Sequence, residues 1–247
     1  MNTRFAHTTR SLLAGAALLA GSVGLAGCIN ISTGFDGEPL DSIDLGGSAP
    51  TEIALAGPDD LVVETGDTFA ITVSGDEEAV EDLRFKRDGD TLTVGREDGS
   101  NWDSGKATIT VTMPAPTDIS MFGSGTITAQ EMADDGDISM AGSGVITVTD
   151  VNVDKLEISS AGSGSIKAAG TAAQLEVSMM GSGDAKLKKL KADQVEINIA
   201  GSGGVRVASD GKVEASIVGS GNVEVTGDAE CSSSTVGSGT LKCKAAK

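Results

Sequence analysis

The tripeptide Gly-Ser-Gly occurs seven times in the C-terminal half of this chain, with first glycines at Gly123, Gly142, Gly162, Gly181, Gly201, Gly219 and Gly237. The spacings are 19, 20, 19, 20, 18 and 18 residues. A fixed period near twenty marks stacked units, each too small to bury its apolar face alone. Apolar residues recur two and four positions before most of these glycines, as in Ile138 and Met140, and four and six after them, as in Ile146 and Val148. That period of two on both sides of a fixed turn predicts two strands per unit, and the β-branched content agrees. Serine or asparagine stands three before the glycine and, in the first six repeats, an acid five before. Two-residue hairpin turns are not what joins these strands, and column-preserving repeats need stacking in register. The expectation is an all-β parallel β-solenoid with GSG-cornered coils of 18–20 residues, about 4.8 Å apart. The residue just before each GSG, from Phe122 to Val236, is expected to tuck beside the corner. The corner serines are read as structural, satisfying backbone groups, because no general base lies in reach.

The N-terminus predicts an envelope address. Arg4 and Arg10 precede an apolar run that ends in Leu25-Ala26-Gly27-Cys28, the form of a lipoprotein cleavage box with Cys28 as the lipid-attachment residue. Ile29 is not the Asp that would retain an enteric lipoprotein at the inner membrane, so the expected location is the outer membrane, on its periplasmic face or at the cell surface. Residues 1–27 read as the signal peptide, 28–38 as a tether and 39–247 as one β-helix domain. Within that domain 39–115 are irregular coils and 116–247 regular repeats. "GREDGSNWDSGK", residues 95–106, reads as a protruding loop, with Trp102 expected to plug a core end, the alternative being contact with a partner.

Composition excludes several chemistries. Removal of residues 1–27 takes away two of 18 Lys+Arg, none of 36 Asp+Glu and the only His, which moves the formal charge from −18 to −20. Such a surface disfavours nucleic acid and anionic lipid but not basic proteins or cations. Without histidine, Ser-His-Asp and Cys-His catalysis and His-ligated metals drop out. With no Tyr and one Trp, aromatic platforms for sugars or bases are hard to build. No catalytic, cofactor-binding or metal-ligating residues are assigned.

The block "TEIALAG…TLTVGRE", residues 51–97, followed by GSG repeats behind an export signal, resembles the head GIN domain family of bacterial auto-transporter-type adhesins over roughly residues 40–243. The resemblance implies a right-handed parallel β-helix on the cell envelope and brings no catalytic residues. The function expected is a non-enzymatic envelope lipoprotein, held to the membrane through its lipid. Its flat acidic flank would serve adhesion, partner binding or spacing. The competing reading is a polysaccharide lyase or hydrolase, since β-helices host such enzymes. Coils this short leave no room for cleft-walling loops, and uniform acids do not make a differentiated carboxylate pair.

Two constellations remain open. Cys231 and Cys243 occupy inward columns on either side of the last GSG and are either a disulfide closing the terminal coil or two free thiols stacked above Val213 and Val225. Asp118, Asp137, Glu157, Glu176, Glu196 and Glu214 should line one outer face, with neighbours repelling by roughly 1–3 kcal/mol. Lys167, Lys186 and Arg206 are candidates to offset them by reaching round the corner. The column is either a solvated face or a surface for divalent cations or a basic envelope or surface protein.

Overall fold

The computed structural model describes residues 35–100, 102 and 105–244. Its first coil is made by β1 (Glu52–Gly57) and β2 (Asp60–Thr65), followed by β3 (Ala70–Gly75), a short α1 (Glu77–Glu81), β4 (Leu83–Asp88), β5 (Thr91–Arg96) and β6 (Ala107–Met113). The repeats follow as β7 (Asp118–Gly123), β8 (Thr126–Met132), β9 (Gly136–Gly142), β10 (Val145–Gly162), β11 (Ser165–Gly181) and β12 (Asp184–Gly201). The last coils are β13 (Gly204–Ala208), β14 (Lys212–Gly219), β15 (Asn222–Thr226), β16 (Glu230–Gly237) and β17 (Thr240–Lys244).

Two parallel stacks result, one on each side of the corners. Stack A runs β5, β1, β7, β9, the C-terminal halves of β10, β11 and β12, then β14 and β16. Stack B runs β6, β2, β8, the N-terminal portions of β10, β11 and β12, then β13, β15 and β17. The chain is therefore a parallel β-solenoid, as its repeat predicts. A short third side, Val151–Val153, Gly170–Ala172 and Leu190–Ala192, also pairs from coil to coil, a feature the two-strand reading did not contain. The inward columns form one continuous core: Ile119, Ile138, Ile158, Val177 and Ile197 from stack A meet Ile127, Ile146, Ile166, Ala185 and Val205 from stack B, all at most 1% exposed. Full burial of each Ile or Val is worth about 1.5–3 kcal/mol.

The corner explains the tripeptide. The first glycine has φ between 113° and 146° in all seven repeats, a region that favours residues without a Cβ. It also touches its counterpart below, so that a Cβ built on Gly162 would overlap the carbonyl oxygen of Gly142. The second glycine is needed for space: a Cβ on Gly164 would overlap the sulfur of Met140 in the core. The serine between them contributes through its backbone. The N–H of Ser163 donates to Gly142 O at 3.0 Å, that of Ser182 to Gly162 O at 2.9 Å and that of Ser202 to Gly181 O at 2.8 Å. No hydroxyl of a corner serine makes a protein hydrogen bond among the described residues, which revises the expectation that these side chains serve the corner.

At the N-terminal end β5 and β6 continue the parallel stacks beneath β1 and β2, and antiparallel strands close that end. β4 pairs antiparallel with β5, and β3 with β6. Glu38 and Phe85 exchange backbone hydrogen bonds of 2.8 and 2.7 Å, and Leu40, Ile43 and Leu45 pack against the core. The first corner is Gly57-Pro58-Asp59, with Gly57 in register with Gly123. Asp59 is fully buried there. Its Oδ2 accepts from Arg96 Nε at 2.8 Å and its Oδ1 from Arg96 Nη2 at 2.6 Å and from the Ala107 N–H at 2.9 Å. Arg96 Nη2 also donates to Gly105 O at 2.8 Å, so this pair pins the start and end of the 95–106 segment to the corner. Trp102 in that segment is 57% exposed and plugs no core end, contrary to expectation.

At the other end Cys231 and Cys243 are disulfide-bonded, with Cα atoms 6.7 Å apart, stacked on Val213 and Val225. Cys231 is half-buried and Cys243 exposed, because no coil lies above them among the described residues.

Gly162→Ala should destabilise the chain by about 1–3 kcal/mol in urea unfolding, while Ser163→Ala next to it should stay within about 0.5 kcal/mol. Equal effects would mean that the corner geometry is not what constrains the repeat. Reducing the disulfide, which closes a loop worth ~3 kcal/mol by chain entropy, should speed amide exchange across β16 and β17 and leave β7 to β12 unchanged.

Candidate functional site

Alternation along the strands of stack A puts every second side chain outward, and parallel register turns these into columns. The acidic column is continuous: Asp118 lies beside Asp137, then Glu157, Glu176, Glu196 and Glu214 follow, each paired in register with the next. The structure adds Glu52, which pairs with Asp118. Its signal was present in the sequence, five residues before Gly57, but the corner there is not GSG.

Beside the acids runs the hydroxyl and amide column, including Ser139, Ser178, Asn198 and Ser216. Ser139 Oγ donates to Asp137 Oδ1 at 2.7 Å, and Asn198 Nδ2 to Glu196 Oε1 at 3.3 Å. Closest to the corner is an apolar column: Ala141, Ala161, Met180, Ala200, Val218 and Val236. These residues were expected to tuck beside the turn. They instead continue the strand alternation and point outward, with Met180, Val218 and Val236 at 62%, 54% and 67% exposure. Outer face A is thus striped: acid, hydroxyl or amide, apolar.

The outer face of stack B differs in sign. Five after each first glycine it carries Thr128, Thr147, Lys167, Lys186, Arg206, Glu224 and Lys242 in register. Among the described residues no ion pair joins Lys167, Lys186 or Arg206 to the acidic column. Arg206 instead pairs with Asp184 at 3.5 Å and Glu224 at 3.8 Å, on its own face, where Glu224 also holds Lys188 at 3.2 Å and Lys244 at 3.1 Å. Side chains of stack B point away from stack A, which is why pairing round the corner does not occur. What partly offsets the acids comes from the same strands two residues earlier: Lys155 pairs with Glu157 at 3.6 Å and Lys212 pairs with Glu214.

The carboxylates stand one per coil. Among the described residues no three His, Cys, Asp or Glu side chains are grouped to hold a metal ion. The column is a line of charge rather than a cage. A shallow hollow of about 340 Å³ lies on face A between Glu196, Asn198, Glu214, Ser216, Ser232 and Ser234, and a second of about 600 Å³ lies at the N-terminal end near Glu38, Ile43, Phe85 and Arg87. Both are open to solvent. Cys28 lies outside the described residues.

Burial pushes the Asp137 carboxyl above its usual 3.8, with Asp118 and Glu157 adding to the shift against the Ser139 hydrogen bond. Burial likewise raises Glu176 above 4.5, helped by Glu157 and Glu196. Such groups take up protons in the folded chain before the unfolded one, so stability rises as pH falls through their folded pKa values toward 3.8 and 4.5. Glu224, lowered by its bonds to Lys244 and Lys188, and Asp210, lowered by Lys191, act in the opposite sense, and their stabilisation is lost only below 4.5 and 3.8. Tm should therefore rise on acidification from pH 7 and fall again below about pH 4. Asp137→Asn with Glu176→Gln should flatten the rise; an unchanged profile would remove the column from the account.

The comparisons with known proteins agree with this geometry. Residues 49–229 match the family described as "Putative auto-transporter adhesin, head GIN domain". Solved structures with the same fold include a "putative adhesin" from Bacteroides fragilis, 23% identical over 80% of this chain and 93% of that one, with a TM-score of 0.73. Another, from Parabacteroides merdae, also described as a "putative adhesin", is 21% identical over 82% and 93%, with a TM-score of 0.64. A "putative lipid binding protein" from Parabacteroides distasonis is 26% identical over 80% and 93%, with a TM-score of 0.61. None of the curated proteins is similar to the chain. The family match spans most of the solenoid, from just before β1 to the end of β15, and the chain belongs to the head GIN domain family.

Proposed function

We propose that this chain is a non-enzymatic, adhesin-like protein of the cell envelope, attached by a lipid on Cys28 at the outer membrane, whose striped outer face makes contact with a partner. The observation that carries the reading is face A itself. Stacked strands present acids, hydroxyls and exposed Met180, Val218 and Val236 in parallel rows. A surface with a charged row and an apolar row flanking a polar one suits protein recognition better than catalysis, because it lacks walls that would exclude water from a substrate. The acids repeat in like surroundings, whereas a glycosidic acid and base must differ in environment. Membership of an adhesin-like family supports the same reading.

The test is attachment of cells with and without the chain to surfaces and to one another. Deletion should reduce attachment, the wild-type chain should restore it, and a chain with Met180→Ser, Val218→Ser and Val236→Ser should not, provided that it melts like the wild type. Attachment unaffected by deletion would sink the adhesin reading, and release of unsaturated or reducing sugar from acidic polysaccharides, with or without calcium, would put the enzyme in its place. Mass spectrometry of the mature N-terminus should show an acylated Cys28, and Cys28→Ala should release the chain from the membrane fraction. A mature chain that starts elsewhere ends the lipid-anchor proposal.

A further inference from the structure

The acidic and basic columns are separate features of opposite outer faces, yet they share one geometry. Cys231 and Cys243 lie six residues before and six after the same glycine, and their bond places those two positions across the core from each other, Cα to Cα 6.7 Å. The outward positions five before and five after are therefore equally distant from the corner on opposite faces. The first holds Glu157, Glu176 and Glu196; the second, in the same three coils, holds Lys167, Lys186 and Arg206. Both rows climb one coil at a time, so their spacing is the same, about 4.8 Å.

We infer that the occupant of face A is face B of a second copy of this chain, shifted sideways without rotation. This inference rests on the reading of face A as a contact surface. Translation keeps both corners on one edge, so the row Glu157, Glu176, Glu196 meets the neighbour's row Lys167, Lys186, Arg206 coil for coil. Reversing the neighbour would move its corner to the opposite edge and break the match. Within one chain Lys167 and Lys186 enter none of the ion pairs found among the described residues, and Glu176 and Glu196 likewise enter none. Glu224, which would face the neighbour's Glu214, is already held by Lys188, Arg206 and Lys244. The contact is heterologous, each copy using A on one side and B on the other, so it does not close and produces rows of solenoids standing side by side.

Net charge sets the conditions. A formal charge of −18 on the whole chain, more negative once residues 1–27 are removed, repels copies at low ionic strength, while the row-to-row pairs act at contact distance. Association should therefore be weak at about 0.01 M NaCl, strongest near about 0.15 M and lost again by about 1 M.

The experiment is sedimentation of the full mature chain in detergent at those three salts, over a range of protein concentrations. Wild type should grow in mass with concentration at the middle salt. E157K/E176K/E196K alone and K167E/K186E/R206E alone should each associate at least about tenfold more weakly, and an equal mixture of the two should recover association. A mixture no better than either variant alone, or a wild-type chain that stays monomeric at every salt, overturns the inference. Should either variant fail to fold, zero-length carbodiimide cross-linking of wild-type chains, half of them isotope-labelled, decides instead. Mixed-isotope links between Glu176 and Lys186 support the contact, and their absence overturns it. Cell attachment reads the adhesin proposal independently, so either idea can fail while the other stands.

Discussion

The hydrogen bond from each corner serine N–H to the first glycine carbonyl of the coil below is the contact on which the rest of this protein depends. It requires two backbones to approach at a point where each is turning, and only glycine on both sides of the serine leaves room. Once that contact repeats, the register of every strand leaving the corner is set, because a slip of one residue would carry all inward side chains to the outside. The apolar columns, the outer stripes and their charges are all consequences of that one alignment.

The regular coils were legible because their information is local. Alternation and the GSG spacing sit within twenty residues, and the structure buries the columns they name, from Ile119 to Val225. The acidic row was readable for the same reason. Glu52 escaped because Pro58 and Asp59 replace the Ser and second Gly of its corner, which hides a coil that is otherwise in register with the next. The Asp59–Arg96 pair joins residues 37 positions apart and leaves no periodic trace. The apolar residue before each corner was misplaced because hydrophobicity was read as burial. Exposed apolar side chains are ordinary one at a time, and only the stack reveals Met180, Ala200, Val218 and Val236 as a row.

Electrostatics in this solenoid follow from stacking rather than from choice at single sites. A residue type that is harmless on an isolated strand becomes a line of like charge when repeated every coil, and at Asp137 and Glu176 the neighbouring carboxylates add to the rise in proton affinity that burial causes. The chain offsets part of this with Lys155 and Lys212 from the same strands, and it separates the remaining signs onto opposite faces. A solenoid therefore has a polarity across its thickness as well as an overall charge.

The two ends of the molecule differ in a way that bears on how it assembles. Antiparallel strands and a buried ion pair finish the N-terminal end, whereas the terminal coil turns inward positions over to Cys231, Ser233 and Thr235 and is tied by the bond from Cys231 to Cys243. Each coil in between bonds only to the coils above and below. On the proposed export route the finished end crosses the membrane first, so every later coil meets a ready template as it follows, and growth can proceed in one direction by nucleation followed by addition. The same modularity makes coil number a variable that gene duplication can change twenty residues at a time, lengthening the rod while both of its ends stay as they are.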